Sequence, residues 1–232
     1  KKEKRDGKMD RTTWQKSESI EVGILLALTG GILDAYSFLA RGGVFANAQT
    51  GNIVLLGVYL AQGQYEKAAR YIVPIVAFAV GILMAEAIKN RYRKRRNTAF
   101  HWRQIVITIE FLLLVIVAFL PQEMNTIANV LVSFVCSLQV QTFRKIHRIT
   151  CATTMCTGNL RSGVEALYLY HQTGEKEYQR KGLGYLGVDL VFLVGAAAGT
   201  FAAFQWEEKA VLVSCVLLFL AFLVMLIREE ES

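Results

Sequence analysis

The residues able to do chemistry in this chain gather around two copies of one triplet. Thr50-Gly51-Asn52 and Thr157-Gly158-Asn159 stand 107 residues apart, and each opens a short apolar stretch. Asn47 and Gln49 lie just ahead of the first copy. Asp34 stands 16 residues before Thr50, and Gln141 stands 16 before Thr157. Amides, hydroxyls and one carboxylate at matching positions suit hydrogen bonding to a polar solute in a dry medium. They do not suit bond making: HExxH, GxSxG, Walker and GxGxxG patterns are absent from the sequence, and each is needed for a specific piece of hydrolytic or nucleotide chemistry. The expectation is therefore no enzyme, no metal and no cofactor.

An ionisable group inside an apolar run is costly to bury, so by default it faces an interior or a cavity. Asp34 is the foremost case. Its plainer role is a structural hydrogen bond to a neighbouring helix or to the turn the triplet makes. Arg161 and Glu165 are four apart on one short helix, the spacing of an internal ion pair. Glu86 and Glu110 lie near a basic linker, where pairing with Lys or Arg is the simple account. Asp189 is ambiguous, and His147 and His171 show no metal-ligand spacing. Cys136, Cys151, Cys156 and Cys215 fall in apolar or membrane-entering segments and read as small packing residues.

These residues need elements to position them. The chain is 53% hydrophobic with two prolines, which is too apolar for an ordinary soluble domain. Apolar runs cover residues 20–40, 71–88, 104–120, 126–143, 182–204 and 210–227. Each approaches the ~20 residues a helix needs to cross a ~30 Å hydrocarbon core. Two further stretches, 53–62 and 160–170, follow the triplets and are too short to cross.

Charge decides the number of crossings. If the short stretches do not cross, 21 of the 26 Lys and Arg fall on the side of the N-terminus. Only Arg41, Lys67, Arg70 and Lys209 fall on the other, with Arg161 inside a short element. Eight crossings would split the charges 13 against 12. An excess of Lys and Arg marks cytoplasmic loops, so six spans with both termini cytoplasmic are expected. The net charge of +7 is explained by this topology and does not point to nucleic acid. The run Arg91-Tyr92-Arg93-Lys94-Arg95-Arg96 is placed to touch anionic headgroups. Ala46-Asn47-Ala48 resembles a signal cleavage site, but the preceding apolar run is long and carries Asp34.

The duplication organises the rest. Arg41 matches Arg148 and Leu60 matches Leu167 at the same offset, and at an offset of 114 Tyr71, Phe78, Val80 and Gly81 match Tyr185, Phe192, Val194 and Gly195. Three crossings per half is an odd number, so the second half must be inverted. The expected fold is an all-α membrane protein with six transmembrane helices plus two short re-entrant or broken helices, built as an inverted 3+3 repeat. Residues 1–19 form a basic cytoplasmic segment. Residues 20–88 hold spans 1–2 with the re-entrant element 42–63. A basic linker covers 89–103, and a third span, 104–120, completes the first repeat. The second repeat occupies 126–227 with its short element at 150–170, and 228–232 form a tail.

Gly42-Gly43 suits a chain that enters, turns and returns. Thr50 or Asn52 is expected to cap a helix starting near Ile53, and Thr157 or Asn159 to do the same in the second copy. Two helix N-termini converging on the midplane favour an anion, a carboxylate or a polar neutral solute. Gly23, Ala27, Gly31 and Ala35, and Gly187, Gly195, Gly199 and Ala203, form small-residue stripes for close helix packing.

The segment Gly30-Gly31-Ile32-Leu33-Asp34-Ala35-Tyr36-Ser37-Phe38, with Gly42-Gly43-Val44-Phe45, Asn47 and Gln49-Thr50-Gly51-Asn52, resembles the YoaK-like family of bacterial integral membrane proteins. The resemblance implies six spans in a bacterial plasma membrane and assigns neither a substrate nor site residues. The residues themselves point to a transporter or channel for a small polar or anionic solute. Its path is lined by Asp34, Asn47, Gln49, Thr50, Gly51, Asn52, Gln141, Thr157, Gly158 and Asn159. The alternative is a non-transporting scaffold or regulator whose basic loops hold lipid or a partner. Lateral homo-oligomerisation is left open.

Overall fold

The structure, a computed structural model, describes residues 19–92, 102–146 and 149–230, with side chains to Ile227. Most of the basic N-terminal segment and of the 89–103 linker, His147, the Arg148 of the repeat match, and the end of the tail lie outside the described residues.

Among the described residues eight α-helices follow one another: α1 (Ile20–Ala40), α2 (Gln49–Ala61), α3 (Tyr65–Tyr92), α4 (Trp102–Val117), α5 (Asn125–Thr142), α6 (Cys156–Thr173), α7 (Lys176–Trp206) and α8 (Leu212–Glu230). Among the described residues, four helical segments are long and apolar enough to cross a membrane: Ile20–Ala40, Tyr65–Tyr92, Gln122–Thr142 and Lys176–Ile227. The last has 52 residues, and the 3-10 turn Glu207–Val211 divides it into α7 and α8. α4 has 16 residues, a rise of about 24 Å. Ser19 starts α1 by accepting the Val22 N–H on its hydroxyl at 3.3 Å, one of the orphan donors of a helix N-terminus.

The packing gives each helix a direction. α1 and α7 run parallel, because Leu28 meets Gly195, Ile32 meets Gly199, and the Tyr36 hydroxyl donates to the Glu208 carbonyl. α3 and α5 also run parallel, since Gly81 meets Ser137 and Glu86 accepts from Gln141. α1 opposes α5, with Gln139 donating to the Leu26 carbonyl and Asn129 to the Arg41 carbonyl. α4 opposes α5 across a short turn, and α8 packs on α1 and α4. Six helices thus alternate, with α1, α4 and α7 one way and α3, α5 and α8 the other. Their core includes Leu26, Leu33, Leu114, Val132, Val135 and Leu218.

Close approach depends on glycine. A Cβ at Gly31 would lie 2.1 Å from the Phe192 carbonyl oxygen, and one at Gly195 would lie 2.4 Å from that of Leu28. The backbones of α1 and α7 therefore touch at this level, as small residues allow. The proposed stripes are only partly used in this way: Gly23 faces Ile146, and Gly187 has no neighbour within 4 Å of its Cβ position.

Arg41 departs from its reading as an outer-loop charge. It is fully buried, and its guanidinium donates to the carbonyls of Val117 (2.9 Å), Leu120 (2.9 Å) and Pro121 (3.4 Å), to Asn125 Oδ1 (3.1 Å) and to the Tyr36 hydroxyl (2.6 Å). Free carbonyls and the negative dipole end of α4 take the place of a counter-ion. The ends of α1, α4 and α7 and the start of α5 are fastened at one level.

The two short elements also differ from expectation. α2 begins at Gln49 and α6 at Cys156, so both triplets lie inside the first helical turn, and the N-cap residues Ala48 and Met155 make no side-chain cap bond. α6 has 18 residues, because polar His171–Thr173 continue the helix until Gly174 at φ 71° ends it. α2 lies against α3 and α6 lies antiparallel on the first half of α7, with Gly163 at Tyr185 and Leu186 and Gly182 at Leu167.

Candidate functional site

After Arg41 the chain turns back. Gly42 and Gly43, at φ 87° and 79°, adopt backbone closed to most L side chains, and the next residues descend beside α1. Asn47 arrives against Gly30, the middle residue of α1, and donates from Nδ2 to the Gly30 carbonyl at 3.2 Å. Asp34 fixes this arrival. Its Oδ1 accepts the Asn47 N–H at 2.7 Å. A carboxylate therefore lies just ahead of the positive end of α2, bonded two residues before its first helical residue.

The second copy is built alike. Asn52 donates from Nδ2 to the Phe45 carbonyl at 2.8 Å, and Asn159 donates to the Ala152 carbonyl at 2.7 Å, each seven residues back. Asn52 also accepts the Phe45 N–H at 3.1 Å and donates to Gln49 at 2.9 Å, while Gln49 donates to the Ala46 carbonyl at 2.9 Å. Asn159 instead reaches Asp189 Oδ1 at 3.0 Å. Asp189, the ambiguous acid of the sequence, thus stands at the start of α6 as Asp34 stands at the start of α2.

Both turns meet at Gly30. Thr154, which is 107 residues after Asn47, lies on the other side of it, and a Cβ at Gly30 would come within 2.5 Å of the Thr154 methyl. Asn47 and Thr154 are 4% and 5% exposed. Asn47 Oδ1 and Thr154 Oγ1 have no hydrogen-bond partner among the described residues. Thr153 completes the second turn by accepting from Gln139 at 3.2 Å.

Other expected site residues lie elsewhere. Thr50, Thr157 and Gly158 are exposed and Gly51 is half-buried, so in each triplet the asparagine points inward and the threonine outward. Gln141 is not at the second turn; it donates to Glu86, which also holds Lys89 at 2.9 Å. Gln139, two residues earlier, takes the position expected of Gln141. Arg161 and Glu165 are both exposed and form no ion pair among the described residues. Among the described residues Glu110 has no basic partner: it is 0% exposed, and neither oxygen has a hydrogen-bond partner there. It and Asp34 both lie within electrostatic reach of the Cys136 thiol. Nothing in the sequence pattern set Glu110 apart from Glu86, since only the facing of α4 buries it.

The chain is 26% identical over 207 residues to UPF0700 transmembrane protein YoaK of Bacillus subtilis (strain 168), an alignment covering 84% of this chain and 88% of that protein. No solved structure matches. The apolar helices and this relative identify a membrane protein. The profile of a family described as proteins of unknown function, DUF1275, matches residues 22–224, and the chain belongs to that family.

Proposed function

We propose that the protein crosses a bacterial plasma membrane six times as two inverted halves, with both termini cytoplasmic, and carries a small polar solute along a path past Gly30. The alternating directions of the six helices support the crossings. The inversion is supported by paired relationships: α1 lies with α7 as α5 lies with α3, and α2 lies on α3 as α6 lies on α7. Residues 42–48 enter from the Arg41 end and α2 returns to that end. Residues 149–155 enter from the opposite end and α6 returns there. Gly30 is about 15 Å from either end of α1, half of a ~30 Å core. Irregular backbone at that depth survives only inside protein or beside a polar cavity.

The observation that carries the reading is the pair of unpartnered oxygens, Asn47 Oδ1 and Thr154 Oγ1, one from each turn and both beside Gly30. Leaving such a group buried without a partner costs about 1–3 kcal/mol, which a passing solute or its water offsets. With Asp34 and Asp189 at the two helix starts, the junction favours a solute that donates hydrogen bonds, a neutral amide or alcohol or a small cation, over the anion the helix dipoles alone suggest.

Proteoliposomes test this with a panel of small amides, polyols, ammonium and anions. Flux of a donor-bearing solute is expected, reduced about tenfold or more by Asn47→Leu and by Thr154→Val, for a lost buried hydrogen bond of roughly 1.4 kcal/mol. No flux across the whole panel overturns it. A non-transporting scaffold is the second reading, favoured by the hydrogen bond that ties Asp34 to the Asn47 backbone. It predicts that outcome, with the turns serving only as structure.

A further inference from the structure

A cavity of about 760 Å³ opens between the first halves of α1 and α7 and reaches Cys151 at the edge of the second asparagine turn. Its origin is local. α1 and α7 touch at Gly31 and Gly195, but nearer their starts Ile146 and Ile149 wedge between them. Cβ atoms at Gly23 and Gly184 would meet these side chains at 2.6 and 2.2 Å. The helices are held apart, and the cleft between them has two chemically different ends.

At the start of α7 the cleft is basic. Lys176, Arg180 and Lys181 line it together with Glu177. Lys181 is spoken for, since its Nζ lies 2.7 Å from Glu177 Oε1. Lys176 and Arg180 are exposed and have no carboxylate partner among the described residues. Further in, the walls are Ile24, Ala27, Ile149, Val188 and Val191. Ile20 and Ile24, at 52% and 43% exposure, leave the cleft open at the side. From Lys176 to Val191 α7 rises about 22 Å, which is one leaflet including its headgroup layer.

We infer that this cleft holds an anionic phospholipid of the leaflet at the α1 and α7 starts, with its phosphate between Lys176 and Arg180 and an acyl chain along Ile24, Ala27, Val188 and Val191. Charge complementarity selects the headgroup. Walls of Ile, Val, Ala and Gly offer a small polar solute no hydrogen bond, whereas an acyl chain, already in the leaflet at that depth, packs against them. The inference rests on α1 and α7 crossing the membrane as proposed above. It does not rest on transport.

The test uses the full chain, delipidated in a neutral detergent, with binding read by native mass spectrometry and by thermal shift. Phosphatidylglycerol, phosphatidylcholine of the same chains, and inorganic phosphate are the probes. Phosphatidylglycerol is expected to bind and to raise the unfolding temperature, while the other two do neither. The double variant Lys176→Ala/Arg180→Ala, at two exposed positions, is expected to weaken phosphatidylglycerol binding about 30-fold, roughly fivefold for each charge near an anionic headgroup. Val191→Trp, filling the apolar end, should weaken it with both charges intact, and Lys209→Ala should leave it unchanged. Equal binding of phosphatidylcholine overturns the headgroup assignment. A shift with inorganic phosphate alone makes the cleft a soluble-anion site and overturns the lipid, as does full binding by the double variant. Because binding is read in micelles, its failure is separate from any failure of solute flux.

Discussion

Asp34 accepts the backbone N–H of Asn47 at 2.7 Å, pinning the segment that follows Arg41 one turn from the middle of α1. The carboxylate, 8% exposed, holds up the turn rather than standing free in a cavity. Asp34→Ala leaves the buried N–H of Asn47 without its acceptor and should cost about 1–3 kcal/mol. Asp34→Asn keeps one acceptor oxygen and should cost about half as much. Unfolding midpoints in micelles measure both. Equal losses would contradict the hydrogen-bonding role.

Gly31 and Gly30 are neighbours with different duties. An added methyl at Gly31 strikes the backbone of Phe192 and Ala196, which cannot move alone, whereas at Gly30 it strikes the methyl of Thr154, which can rotate. Gly31→Ala should destabilise by about 3 kcal/mol and Gly30→Ala by about 1 kcal/mol. If the α1–α7 contact is as close as described, the order cannot be reversed in a thermal unfolding series.

Arg41 is the fastening of one whole end of the bundle. Arg41→Met removes five hydrogen bonds from buried carbonyls, an amide and the Tyr36 hydroxyl, and should cost about 3–5 kcal/mol, the range for breaking a buried charged interaction. Arg41→Lys restores the charge without the fork and should recover only part of it. Chemical unfolding of the three proteins in one detergent makes the comparison.

Glu110 is predicted to behave in the opposite way. With both oxygens unpartnered among the described residues and no surface exposure, it costs stability where Arg41 contributes it. Glu110→Leu should raise the unfolding midpoint, by about 1–4 kcal/mol in stability. A fall of that size would reveal a partner for the carboxyl.

The helices and the duplicated asparagines were legible because hydrophobic length and a repeated triplet are properties of the chain itself. What lay beyond reach were properties of facing. A constant offset paired Asp34 with Gln141, yet the acid at the second turn is Asp189, supplied by α7, and the amide is Gln139. Arg41 looked like a loop charge because the sequence does not say that the last carbonyls of α4 converge on it. Glu86 and Glu110 looked alike until α4 turned one of them into the core. The triplets were expected just outside helices and lie within them, and the turn ahead of α2 is held by Asp34 from 13 residues away, a distance no local pattern records.

The central claim, that the two turns enter from opposite faces and return to them, is tested most directly at the exits of α2 and α6. Gln62→Cys and Glu175→Cys place single thiols at exposed positions beside those exits, in a chain with its four native cysteines replaced. A membrane-impermeant maleimide added to intact cells should label position 62 and not 175, and in inverted vesicles the pattern should reverse. Labelling of both positions from the same face would contradict the account, because then α2 crosses the membrane and the paired turns are not re-entrant.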